Sequence, residues 1–260
     1  MRYFKILALH FEDVLQERSR AFVYFLLNIV NPLILILFWS GATSNSSIIA
    51  GFTRNQINTY YVLLVIVVTI VVSHIEESIA KADIRDGLLV SYLLRPFSYL
   101  TFKFFQELPH RVLQGIFGII SYVILSNLIP GVSDAILTPT TVVIIALAYL
   151  LCFLMQASIG LLAFWIIEIS GVLNMGEVIR AVFSGILVPI VFLPDYLANI
   201  AYITPYPYII YFPVISLQGL ADTNLQMWVM SMQIMWITFF YILYKVLWHF
   251  GIRQFSGVGQ

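Results

Sequence analysis

The feature that most limits what this chain can become is the recurrence of apolar stretches, separated by short polar breaks, along its whole length. Each is about 20 residues long, which is what a helix needs to cross the hydrocarbon core of a bilayer. Charged residues make up 10% of the 260, against roughly 25% in a water-soluble domain. So little polar material cannot coat a globule in water, and lipid is the solvent that the sequence implies. Helices satisfy their own backbone groups where no water reaches, so the expected fold is an all-α membrane protein.

The pattern predicts one transmembrane domain, 1–260, with six helical spans at about 21–41, 57–75, 112–129, 141–167, 181–193 and 228–248. Before the first span, Phe4, Leu7, Phe11 and Val14 repeat at helical spacing while Lys5, Glu12, Asp13 and Gln16 lie off that stripe. Residues 1–20 therefore read as an amphipathic interfacial helix. Glu12, Asp13 and Glu17 interrupt any basic leader, so this stretch does not read as a signal peptide, although Ser40 and Ala42 are small enough to mimic a cleavage site. The fifth span cannot be one straight helix, because Pro189, Pro194, Pro205, Pro207 and Pro213 punctuate it and the apolar stretch after it. Residues 194–217 are expected to form a re-entrant or surface-hugging hairpin on one side of the membrane.

With six spans, 12 of the 13 Lys and Arg fall on the side of both termini, and only Arg54 falls on the other. The positive-inside rule then makes both ends cytoplasmic. A net charge of zero argues against nucleic acid as a partner. The single cysteine, Cys152, can form no internal disulfide and supplies no zinc site by itself. Asn28, Asn31 and Gln156 lie within spans and are expected to face protein, as interhelical hydrogen bonds or as pathway lining. Glu168 and Arg180 flank the turn after the fourth span and read as interfacial.

The connection 76–111 is the longest on the cytoplasmic side. Ile84, Leu88 and Tyr92 fall on one helical face with Leu89 and Leu93 beside it, leaving Asp83, Arg85, Asp86 and Ser91 to solvent or a partner. Pro96 ends the helix. A short helix pinned between two spans transmits force from a soluble partner; the alternative is a solvated loop resting on headgroups.

The run Asp83-Ile84-Arg85-Asp86-Gly87-Leu88-Leu89-Val90-Ser91-Tyr92-Leu93-Leu94-Arg95-Pro96 resembles the coupling-helix segment of permeases of the type 2 ATP-binding-cassette (ABC) transporter family. It departs from that family in carrying Leu88 and Leu89 where Thr or Ser and then Glu are frequent. The stretch 184–194 and Thr204-Pro205-Tyr206-Pro207 also look like the family's broken fifth span and outer re-entrant helices. The resemblance extends over the whole chain and is similar to a bacterial branch that pairs two permeases with a separate ATPase. It implies a permease, working as an exporter in the inner membrane, that associates with a second permease, identical or related. It also implies two copies of a cytoplasmic ATPase that binds ATP and Mg, docked on Arg85, Asp86, Gly87, Leu88, Tyr92, Arg95 and Pro96. Pro189, Pro194, Pro205 and Pro207 would form the outer closure. No Gly-x-x-x-x-Gly-Lys-Ser/Thr loop occurs in the chain, so nucleotide phosphates have no such cradle here.

Two other classes compete. Glu76-Glu77-Ser78-Ile79-Ala80-Lys81 is a near miss to the Glu-Glu-x-x-x-Arg signature of CAAX-type intramembrane proteases, with Lys81 in place of Arg and no later His motif. A secondary transporter or channel would need internal repeats or embedded ionisable groups, and the spans as read offer neither. Tyr206, Tyr208, Tyr211 and Phe212 suit an aromatic belt at the interface or an outer gate.

Overall fold

The computed structural model describes residues 18–42, 48–49, 51–96 and 98–255. Residues 1–17 of the expected interfacial helix lie outside these, and residues 18–20 already belong to the first helix. That helix, α1 (Arg18–Ala42), contains the apolar stretch Phe25–Trp39. A two-residue antiparallel ladder, β1 (Ile48–Ile49) with β2 (Phe52–Thr53), pairs Ile48 with Thr53 and Ile49 with Phe52. It leads into α2 (Arg54–Val71), which starts on a reciprocal cap. The Thr53 amide donates to Gln56 Oε1 at 2.9 Å and the Gln56 amide to Thr53 Oγ1 at 3.3 Å. This satisfies two of the amides that a helix start leaves unpaired.

After a break at Val72–His74, the chain resumes as α3 (Ile75–Glu77), which runs directly into a π-helical stretch (Ser78–Arg85). Then come α4 (Leu89–Leu93), α5 (Tyr99–Leu128), α6 (Pro139–Gly160), α7 (Ser170–Phe183), α8 (Asp195–Ile203), α9 (Tyr206–Ile209), α10 (Tyr211–Leu217) and α11 (Thr223–Gly251). Among the described residues, four helical runs are long and apolar enough to cross a membrane: Arg54–Arg85, Tyr99–Leu128, Pro139–Phe164 and Thr223–Gly251. A fifth is reached if Asp195–Ile203 and Tyr206–Leu217, bent by 70° from each other, count as one broken span. This is a multi-pass membrane protein.

The runs divide by burial. Those starting with α2 and α6 have 67% and 61% of their apolar windows covered by protein, while α5 and α11 have 28% and 22%. α11 packs most extensively on α6, and α2 on α5 and α1. The core is therefore the α2/α6 pair, with Tyr60, Leu63, Val67, Leu151 and Phe153 inside. The outer helices turn Ile116, Ile119, Val123, Ile234, Phe239 and Ile242 outward, where lipid tails accept them.

α7 is 14 residues long, about 21 Å, too short to cross a core of about 30 Å. It ends at Phe183, so the stretch expected as the fifth span, 181–193, lies mostly beyond it. Gly185 breaks the helix there with φ +90°. The non-helical backbone after it is tied to the core: the Tyr60 hydroxyl donates to the Gly185 carbonyl and the Tyr61 hydroxyl to the Leu187 carbonyl, both at 2.8 Å. Such bonds are what irregular backbone requires where no water is present.

The α2–α3 run, with the π-helical stretch that continues it, and α6 approach closely at Gly160. A Cβ placed there would stand 2.9 Å from Ile79 Cβ and 3.0 Å from the Glu76 carbonyl oxygen. A backbone neighbour cannot swing aside, so Gly160→Ala is expected to destabilise by about 1–3 kcal/mol, the usual range for overpacking. Thermal unfolding followed by tryptophan fluorescence in detergent reads this; an unchanged melting temperature contradicts the close approach.

Candidate functional site

The site begins where α2 stops. Val72 is extended and His74 lies outside the helical region, so the helix breaks. The freed Val72 carbonyl accepts from the Arg111 guanidinium on α5, and Arg111 Nε lies 2.9 Å from Glu107 Oε1. Ser73 Oγ donates to the same Glu107 oxygen at 3.1 Å, and Gln156 Nε2 of α6 approaches the Ser73 carbonyl at 3.4 Å. The break is thus satisfied by groups from two neighbouring helices. Gln156 is buried, as expected of a polar residue in a span, whereas Asn31 is exposed and the Asn28 side chain lies outside the described residues.

Beyond the break, the π-helical turn and α5 are joined by an internal ion pair. Lys103 Nζ sits 2.5 Å from Asp83 Oδ2, with the two side chains 2% and 1% exposed. The Tyr99 hydroxyl donates to the same carboxylate oxygen, and Lys103 Nζ reaches Ser78 Oγ at 3.2 Å. Lys103 also faces the Tyr92 ring at 5.1 Å, and the Arg95 guanidinium stands 5.6 Å from the same ring. On its other side, Tyr99 stacks on Trp248 of α11 at 4.8 Å. Burial and the Asp83 charge together raise the Tyr92 phenol above its ordinary pKa. At the exposed edge of the turn, Lys81 pairs with Glu77 at 2.7 Å.

This arrangement corrects the expected amphipathic face. Asp83 is buried rather than offered to solvent, Ile84 and Leu89 are buried, and Leu88 is 51% exposed. The reason is Gly87, which adopts φ +79° and turns the chain. A residue with a Cβ is strained in that region. The helical phase is lost at that turn and restarts at Leu89, so a single period of 3.6 does not run from Asp83 to Pro96.

The turn brings together the sequence-selected residues Arg85, Asp86, Gly87, Leu88, Tyr92, Arg95 and Pro96. Arg85, Asp86, Leu88, Arg95 and Pro96 are exposed, and Tyr92 is half-buried because it shields Lys103. With Val90, Leu93 and Leu94, also exposed, they form an apolar knob rimmed by charge, fastened from beneath by the ion pair.

The proline set lies elsewhere. Pro189 precedes the 3₁₀ turn Ile190–Phe192, Pro194 and Pro205 stand at the starts of α8 and α9, and Pro207 is buried within α9. Tyr208, Tyr211 and Phe212 are almost fully buried, which overturns the interface-belt reading. They pack inward, with Tyr208 donating to the Tyr202 carbonyl at 3.0 Å and its own carbonyl accepting from Gln233 at 2.9 Å.

Sequence reasoning also missed the ionisable groups of the interior. Arg180, expected at the interface, is 5% exposed and pairs with Glu177, while Glu168 is exposed as expected. Asp83, Glu76 and Lys103 are buried too. The available signals were Glu177 three residues before Arg180, and Tyr99 four residues before Lys103. Each is a helical spacing that puts both groups on one face. Among the described residues, one cluster brings metal-ligating side chains within 4.8 Å of one another: His74, Glu76 and Glu177.

The chain thus combines buried central spans, a broken apolar segment and an exposed, anchored turn at the end of a span. A family model described as ABC-2 family transporter protein matches residues 29–259. The chain belongs to that family, and it is a transporter permease, the membrane subunit without an ATPase site of its own. Neither the curated proteins nor the solved structures yield a match.

Removing one member of a buried ion pair leaves an uncompensated charge and costs about 3–5 kcal/mol, whereas apolar replacement of both is often neutral. Asp83→Leu and Lys103→Met are each expected to destabilise by that amount in detergent unfolding, and the double variant by much less. Single variants as stable as the wild type contradict the buried pair.

Proposed function

We propose that this permease is the membrane half of an ATP-driven exporter in a bacterial inner membrane, with both termini in the cytoplasm. It pairs with a second permease, identical or related, so that the pathway forms between two such units among membrane lipids. Two copies of a cytoplasmic ABC ATPase, which bind ATP and Mg, dock on the turn at Arg85, Asp86, Gly87, Leu88, Tyr92, Arg95 and Pro96. Family membership supports the ATPase and the second permease. The observation that carries the docking role is the exposed knob held from inside by Asp83 and Lys103.

A docking element has to be stiff, because a loop that yields on its own absorbs the displacement that it should pass on. Here Asp83, on the continuation of α2, grips Lys103 on α5, and Tyr99 is stacked on α11. A force on Arg85 or Leu88 is thus delivered to three long helices together. A partner that prefers one arrangement of those helices shifts the population between inward and outward states by its difference in affinity for them. The prolines Pro189, Pro194, Pro205 and Pro207 shape the opposite closure, anchored through Tyr60 and Tyr61.

The test is purification of the chain from native membranes with its partners. An ATPase is expected to come down with it, and Arg85→Glu or Leu88→Asp is expected to weaken that association. The loss of an interface hot spot is about 2 kcal/mol, roughly 30-fold. Unchanged ATPase recovery and unchanged stimulation of ATP hydrolysis in both variants contradict the docking role.

A further inference from the structure

The geometry points to a divalent metal site, for a zinc-class cation, formed by His74, Glu76 and Glu177. It draws on the break after α2 and on α7, away from the exposed turn, and does not depend on the transport reading.

His74 Nδ1 lies 3.6 Å from Glu76 Oε1 and 3.6 Å from Glu177 Oε1. That separation is too long for a hydrogen bond. It is, however, the distance between neighbouring ligands around a tetrahedral ion: bonds of 2.0–2.2 Å to nitrogen and oxygen put the ligand atoms roughly 3.3–3.6 Å apart. The three donors lie within 4.8 Å of one another. Closing the widest gap to the ideal takes about 1 Å of carboxylate movement, within reach of a rotamer adjustment.

Glu76 is 5% exposed, and its second oxygen, Oε2, has no hydrogen-bond partner. Leaving a buried carboxylate oxygen unsatisfied is costly, and a cation bound at the Glu76 carboxylate offsets that cost. Glu177 is oriented by Arg180, whose guanidinium takes Glu177 Oε2 and leaves Oε1 turned toward His74. Hydrogen-bonded groups behind a ligating carboxylate fix its direction in this way.

Charge and donor type select the ion. Two carboxylates beside Arg180 leave one net negative charge, with His74 neutral as a ligand must be. One imidazole with two carboxylates suits zinc or manganese over copper(I) or an iron–sulfur cluster, which need thiolates. The His74 side chain is 57% exposed, so the ion has a way in and a water completes the fourth position. Bound there, it ties the start of α3 to α7, the helix that leads into the irregular segment at Gly185.

The full chain, purified in detergent with any affinity tag removed and stripped with a chelator, is titrated with Zn²⁺ against a chromogenic competitor. One equivalent is expected to bind at micromolar affinity and to raise the melting temperature. His74→Ala and Glu177→Gln are each expected to weaken binding by about 10-fold or more, while His249→Ala, outside the cluster, leaves it unchanged. Both altered side chains are substantially exposed, and their unliganded melting temperatures verify that the variants are folded. Absence of Zn²⁺ binding to the wild type, or binding that both variants retain at full affinity, overturns the site.

Discussion

Much of this structure depends on one charge pair taken out of water. Asp83 and Lys103 come from consecutive helical runs, and each is almost wholly enclosed. An isolated buried charge is prohibitive, so neither residue is tolerable inside without the other. The Tyr99 hydroxyl, Ser78 and the Tyr92 ring fill out the coordination of the two charges. The pair thereby sets where the π-helical turn must sit, and with it where Gly87 reverses the chain and which side chains face outward.

A second constraint is that backbone in lipid has no water to bond. Most of the chain meets it by being helical. The places that depart from helix are where side chains from other elements come in: Arg111 and Gln156 at the Val72–Ser73 break, and Tyr60 and Tyr61 at Gly185 and Leu187. These breaks are therefore built features rather than frayed ends. They place one break in the central run beside α7, where His74 faces Glu177, and irregular backbone directly after α7 at Gly185.

The apolar runs made the membrane class legible, and the prolines after Gly185 correctly marked irregular backbone. Composition reads these directly, because each is a property of one stretch of chain. What escaped was everything decided by contact between stretches. Asp83 reads as solvent-facing until Lys103 is brought beside it, and Arg180 reads as interfacial until the fold buries it next to a small cavity that Met155 and Gln156 of α6 also line. Periodicity failed at the exposed turn for a different reason: it treats 83–96 as one helix, and Gly87 divides it. The tyrosines near Pro207 share a composition with interface belts, and only packing on α6 and α11 shows that they point inward.

The proposed transfer of force through this permease requires the π-helical segment to be a fixed extension of the spans. Hydrogen exchange on the detergent-solubilised chain, resolved at residues 78–86, measures this directly. If the buried pair locks the segment, its amides exchange as slowly as those of α2 at 57–71. Exchange of 78–86 as fast as that of the linker around Ser98 would contradict it, because a freely opening loop cannot carry force between a docked partner and the helices.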